Sequence, residues 1–153
     1  MKDNIYLKNK LLEACSLFVD KRHLTITTIM ESSNKALQAE TKSSAGDKHE
    51  TGRAMLQLEI ENASQQLSSI QKMTEILNKI NYHIKNNRAK LGSLIITNKG
   101  NYFLSISAGV LNVDKEQFYA VSTSSPIGTL LIGKSKGDSF LFNGKEIEII
   151  EVL

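Results

Sequence analysis

The stretch Thr41-Lys-Ser-Ser-Ala-Gly-Asp-Lys-His-Glu-Thr-Gly-Arg53 decides how this chain folds. It is short and polar, and it splits a long helical pattern into two halves of similar length. If the halves fold back on one another, the stretch becomes the tip of an antiparallel hairpin. Asp47 and Glu50 then sit at that tip, three residues apart. Gly46 suits the left-handed geometry that ends a helix. Asp47 suits the N-cap of the next helix and Glu50 its third position, a capping-box arrangement, although Ser or Thr is the usual cap. Capping alone accounts for such a pair without any function. Carboxylates at i and i+3 also share one side of a helical turn. There they can share a hard divalent cation such as magnesium, which takes oxygen ligands and keeps several waters. Two carboxylates hold it weakly, so a partner has to supply the remaining ligands. Lys42, Lys48, His49 and Arg53 surround the pair and read equally as solvated charge or as phosphate contacts.

Before the break, about residues 4 to 40 read as one helix. Leu11, Cys15, Phe18, Arg22, Thr25, Ile29, Ser32 and Ala36 alternate spacings of four and three, flanked by Leu12, Val19, Ile26 and Met30. Such a heptad-like stripe predicts a coiled-coil seam. Leu24-Thr-Ile-Thr-Thr-Ile29 is β-branched and suits a strand. However, the stripe continues in phase on both sides, and no Gly or Pro occurs before Gly46. After the break, Leu56, Ile60, Ala63, Leu67, Ile70, Thr74 and Leu77 repeat the pattern, widened by Met55, Met73, Ile80 and Ile84. They predict a second helix over about residues 48 to 84. Two matched amphipathic helices around a short polar break predict an antiparallel hairpin. Residues 1–84 are therefore expected as a slender coiled-coil prong with its tip at 41–53. Cys15 and the Met residues read as packing. Neither helix joins a basic face to large aromatics, which argues against membrane binding.

Lys85 to Lys99 holds four basic residues and no acid, and Asn86-Asn87 breaks the helical pattern. A second domain is expected over 85–153, where short apolar runs alternate with turns. Leu94–Thr97, Tyr102–Ser107 and Gln117–Ser122 read as strands. Ser125-Pro126 is a helix start, with Ser as the cap and Pro at the first helical position. The helix runs from Ile127 to Ile132 and stops at Gly133. Ser139–Phe142 and Lys145–Val152 flank Asn143-Gly144, the strongest hairpin signal in the chain. The pattern predicts an α+β protein whose antiparallel sheet is crossed by one short helix.

Few aromatics, no Trp and one Pro suit long helices. A net charge of +3 argues against a protein that coats nucleic acid. Cys15 is alone, so no internal disulfide forms. The start of the chain lacks the apolar core of a signal peptide, and a cytoplasmic protein is expected. His23, His49 and His83 are too scattered to make a metal cluster with Cys15. No P-loop or G-x-S-x-G nucleophile motif is present. Asp138 and Glu146 interleave with Lys134, Lys136 and Lys145, so these lysines read as ordinary surface charge.

Ser124-Ser-Pro-Ile-Gly-Thr-Leu-Leu-Ile-Gly-Lys-Ser-Lys-Gly-Asp138 resembles the S-P-x-x-x-x-L-x-G-K-x-x-G-D segment of GreA/GreB-type transcript cleavage factors. The closing Asn143-Gly-Lys-Glu-Ile-Glu-Ile-Ile-Glu-Val152 is similar to that family's last hairpin. The family's tip, G-D-L-K-E-N, corresponds to Gly46-Asp-Lys-His-Glu-Thr51 here, with the acidic spacing kept. The resemblance implies a coiled-coil hairpin followed by an FKBP-like domain. It implies a factor that binds bacterial RNA polymerase, enters the secondary channel and stimulates cleavage of backtracked RNA by the polymerase itself. The factor is not an enzyme alone. Asp47 and Glu50 would position a magnesium ion shared with the polymerase, with no cofactor bound stably by the factor itself. Lys48 and Arg53 would make basic contacts at the tip. Ser125, Pro126, Gly133 and Lys134 would contact the polymerase. The implied partners are the polymerase and, through its active site, the RNA 3′ end. Contact with DNA would be weak, and a membrane has no part. Two features depart from the pattern. The first helix lacks the family's opening Gly and Leu residues, and Gly52-Arg53 replaces the usual acidic and aromatic residues after the tip. Related prong proteins bind the same channel without cleavage, so a non-cleaving regulator is an alternative. A coiled-coil interaction module in which Asp47 only caps a helix is another.

Overall fold

The computed structural model describes residues 3–42 and 47–153, with side chains for 3–40 and 50–153. The chain is α+β. Two long helices, α1 (Asn4–Lys42) and α2 (Asp47–Asn78), precede strands β1 (Leu94–Thr97), β2 (Gly100–Ser105), β3 (Gly109–Val113) and β4 (Glu116–Ser122). A short helix, α3 (Pro126–Leu131), then leads to β5 (Ser139–Phe142) and β6 (Lys145–Val152). Contacts divide the chain into one unit of Met1–Phe18 with Glu75–Leu153, and a second of Val19–Thr74.

The β-branched run of α1 is helical. The hydroxyls of Thr25, Thr27 and Thr28 donate to the carbonyls of Lys21, His23 and Leu24 at 3.0, 2.9 and 2.8 Å. Each donor is thereby spent inside the helix instead of competing with it. In the 19–74 unit, α1 buries Val19, Ile26 and Ser33, seven residues apart, and α2 buries Ala63 and Ile70, again seven apart. The buried face of α1 is turned by one residue from the expected seam. Thr25 and Ser32 are exposed, and Ile29 is 40% exposed. Val19 and Ile26 are more apolar than Thr25 and Ser32, so burying them removes more hydrocarbon from water.

α2 stops at Asn78, six residues before the expected end at Ile84. The following N–H groups, of Lys79 and Ile80, donate to Ile76 and Leu77, three residues back, so the last turn tightens. The Asn81 side chain then accepts from the His83 N–H at 3.0 Å, an Asx turn that offers the backbone an alternative to helix. Ile80 is nonetheless buried. It packs where Gly92 has no side chain: a Cβ there would lie 3.0 Å from Ile80 Cγ2.

The six strands form one sheet in the order β3-β4-β2-β1-β6-β5. The sheet is mixed, not antiparallel as the sequence predicts. β2 pairs with β4 in parallel, Phe103 opposite Ala120, while the other neighbours are antiparallel. The cause is β3, which the sequence reading did not anticipate. The chain runs from β2 to the sheet edge as β3, turns at Asp114 and Lys115, and returns as β4 between β3 and β2. Two reversals restore the direction of β2. One sheet face places Ile95, Leu104, Ile149 and Val152 against Ile127 and Leu131 of α3. On the opposite face, Ser105 of β2 meets Cys15 of α1.

Candidate functional site

The acidic stretch belongs to the junction of α1 and α2. Asp47 is the first residue of α2. Its side chain, those of Lys42, Lys48 and His49, and residues 43–46 lie outside the described residues, so the proposed cap geometry does too. Glu50 is in the first turn of α2 and exposed, as is Arg53 one turn further on. Both therefore present their charges to solvent. Position 50, close to the helix start, is also where a carboxylate is stabilised by the exposed N–H groups of the first turn.

Glu40 of α1 lies near Gly52 of α2. A Cβ built on Gly52 would lie 3.9 Å from both Cδ and Oε1 of Glu40, which is half-buried on α1. Glu40 was not singled out from the sequence. The available signal was symmetry, because positions 40 and 52 are equidistant from Gly46 in the polar break. The approach leaves space for a methyl group at position 52, at ordinary contact distance from Glu40. Farther along, Thr28, Ile29, Ser32, Ser33 and Ala36 of α1 line a cavity together with Leu56 and Glu59 of α2. Among the described residues, no group of three or more His, Cys, Asp or Glu is placed to hold a metal ion.

The second group of candidates brackets α3. Ser125 is its N-cap, with φ −68° and ψ 160°. The Ser125 hydroxyl donates to the Ser122 carbonyl at 2.7 Å and accepts from the Gly128 N–H at 3.1 Å. Pro126 follows at the first helical position and is exposed. There its missing N–H costs nothing. Gly133, at φ +79°, lies just past the other end. Its N–H donates to the Ala89 carbonyl at 2.7 Å, and the Lys134 carbonyl accepts from the Ala89 N–H at 2.8 Å. Ser125 and Pro126 are thus held together at one end of α3, and Gly133 and Lys134 at the other. The backbone of the 88–89 segment is laced to the second pair, with Arg88 bridging Ser135.

Lys136 and Lys145 are exposed, while Asp138 is engaged by its own loop, accepting from the Ser135 N–H at 2.7 Å. Among the described residues, no helix is long and apolar enough to cross a membrane. No family model matches the chain, and neither does a curated protein or a solved structure.

Proposed function

We propose that this chain is an RNA polymerase accessory factor of the GreA/GreB type, with α1 and α2 forming an antiparallel coiled-coil prong and the sheet unit an FKBP-like docking domain. The observation that carries the proposal is the exposed Glu50 in the first turn of α2, three residues after Asp47, where two long helices meet. The hairpin is supported by the paired positions. Glu40 lies by Gly52, and four residues further along each helix Ala36 and Leu56 line one cavity. The seven-residue burial repeats on both helices support a coiled coil.

On this proposal the tip enters the polymerase's secondary channel. Asp47 and Glu50 would hold a magnesium ion that also takes ligands from the polymerase. Two-metal phosphodiester hydrolysis uses one ion for the attacking oxygen and one for the leaving oxygen. The factor's share is to deliver carboxylates only when cleavage is wanted. Arg53, and Lys48 beside the acids, would meet phosphate. Ser125, Pro126, Gly133 and Lys134 would form contacts to the polymerase. Ser125 also holds the start of α3, so its contribution to docking is partly the shape of that turn. Such a factor works in the cytoplasm and is not an enzyme alone.

The replacement Gly52-Arg53 favours a second reading, a channel-binding regulator that does not stimulate cleavage. Stalled, backtracked bacterial polymerase with labelled RNA separates the two. Shortened transcripts that vanish with Asp47→Ala and Glu50→Ala, while binding persists, are the expected result. Binding without shortening leaves the regulator. Lack of any binding to polymerase rejects both and leaves a coiled-coil interaction module.

A further inference from the structure

We infer that the cavity beside the first two turns of α1 is a binding site for a small oxyanion, a carboxylate or a phosphate group, held by Lys8. The inference is independent of the polymerase proposal and uses none of its residues. Lys8 is 2% exposed, among the most deeply buried large side chains of the chain. An ammonium has three donors, and the structure gives this one a single acceptor, the Ile84 carbonyl at 2.9 Å. Among the described residues no carboxylate is ion-paired with Lys8. A buried cation with neither counter-charge nor full hydrogen bonding is expensive. A Met would fill the same space without that cost.

The side chain lines a cavity of about 210 Å³, and the other charges there explain what would offset the penalty. His83 and Lys85 approach from the segment after α2. Asp3 is the one acidic side chain on the wall, and its carboxylate is engaged, accepting the Ile5 N–H at 3.1 Å at the start of α1; the main-chain carboxylate of Leu153 adds a second negative charge. Lys90 adds positive charge from nearby and, after burial itself, is the second cause that holds the Lys8 amine below its ordinary range. The charges that set the local potential are therefore those of Lys8, Lys85 and Lys90 against those of Asp3 and the Leu153 carboxylate. The balance favours an anion. An anion seated against Lys8 favours the charged form of its amine and opposes the lowering that burial and Lys90 cause. Asn4 and Tyr82 on the wall offer neutral hydrogen-bonding groups to further oxygens.

The test is calorimetric titration of the full chain with inorganic phosphate and with acetate, against chloride at equal ionic strength. Lys8→Met and Lys85→Gln are run beside the wild type. Saturable binding is expected in the wild type, weakened at least about tenfold by Lys8→Met and less by Lys85→Gln. Tighter binding of phosphate assigns a phosphoryl ligand, and tighter binding of acetate a carboxylate. No saturable binding of either anion, or equal affinity in Lys8→Met, overturns the inference. If Lys8→Met does not fold, lysine-selective NMR of the wild type decides. A Lys8 resonance that moves on adding the anion supports the site, and one that stays put removes it.

Discussion

The thiol of Cys15, on α1, lies 3.6 Å from the hydroxyl of Ser105, on β2, ninety residues later. Both residues are fully buried, at 0% and 1% exposure. The contact sets the phase of the start of α1 against one face of the sheet. Burial pushes the Cys15 thiol above its ordinary range, and the Ser105 hydrogen bond only partly offsets this. The thiolate is the reactive form, so the native thiol should react with maleimide far more slowly than the denatured chain. Cys15→Asp, which forces a carboxylate into that contact, should prevent or strongly weaken folding. Fast labelling of the native chain would show that the contact opens readily.

Gly128 has no room for a side chain. A Cβ there would fall inside contact distance of the Ser122 carbonyl oxygen and 2.8 Å from Ser125 Oγ. Gly128→Ala should cost about 3 kcal/mol, because backbone has to shift. Ser125→Ala, which removes only the cap, should cost about 1 kcal/mol. Urea unfolding of the two variants tests the order, and equal losses would show that the turn relaxes.

The β3–β4 turn sets Lys115, a residue that dislikes it, beside Asp114, which tolerates it. Asp114 and Lys115 have φ of 50° and 69°, the left-handed region. Asn143 and Gly144, with φ of 51° and 75°, make the same kind of turn from favoured residues. Lys115→Gly should therefore stabilise the protein by up to about 1 kcal/mol, since a left-handed non-glycine residue costs about 1–2 kcal/mol. A melting temperature that falls instead would mean the Lys115 side chain holds the turn.

Gly52 sits inside helix α2, where glycine is less favourable than alanine by about 0.5–1 kcal/mol. An alanine Cβ would meet Glu40 only at ordinary contact distance, 3.9 Å. Gly52→Ala should thus raise helical stability by roughly 0.5 kcal/mol, read by far-UV circular dichroism on heating. Loss of stability would place the two helices closer together here in solution.

Lys8 sets a pH dependence. Its burial holds the amine below the ordinary value of 10.5. Between the lowered value and 10.5 the unfolded chain binds more protons than the folded one, so stability rises with pH across that window. Below the window the cost of burying the charge is constant. Lys8→Met should flatten the rise. Denaturation midpoints followed from neutral to alkaline pH measure it, and parallel curves for both proteins would remove Lys8 as the cause.

Much of the architecture was legible because it rests on neighbours in sequence. The heptad spacing around Ile60, Leu67 and Ile70 predicted α2, and Ser125-Pro126 predicted the start of α3. Asn143-Gly144 predicted the last hairpin with its strands in place. Each is a preference of a few consecutive residues for one backbone geometry. Glu50 was legible in the same way, as an acid in the first turn of a helix.

Other features are decided only when distant segments meet. Asp114-Lys115 lacks the glycine of a strong hairpin signal, so the sequence does not predict β3 or the parallel pairing of β2 with β4. The stripe on α1 is read with Thr25 and Ser32 in the seam, and packing buries the flanking Val19 and Ile26 instead. Glu40 comes close to Gly52 only because α1 and α2 meet there, and Lys8, a residue type usually found at a surface, is buried and bonded to the Ile84 carbonyl. The physical reason is common to all of these. Propensity and periodicity describe what a stretch of chain can do alone. Which face is hidden, which strand finds which edge and which charge loses its water depend on free energies shared between residues far apart in the chain.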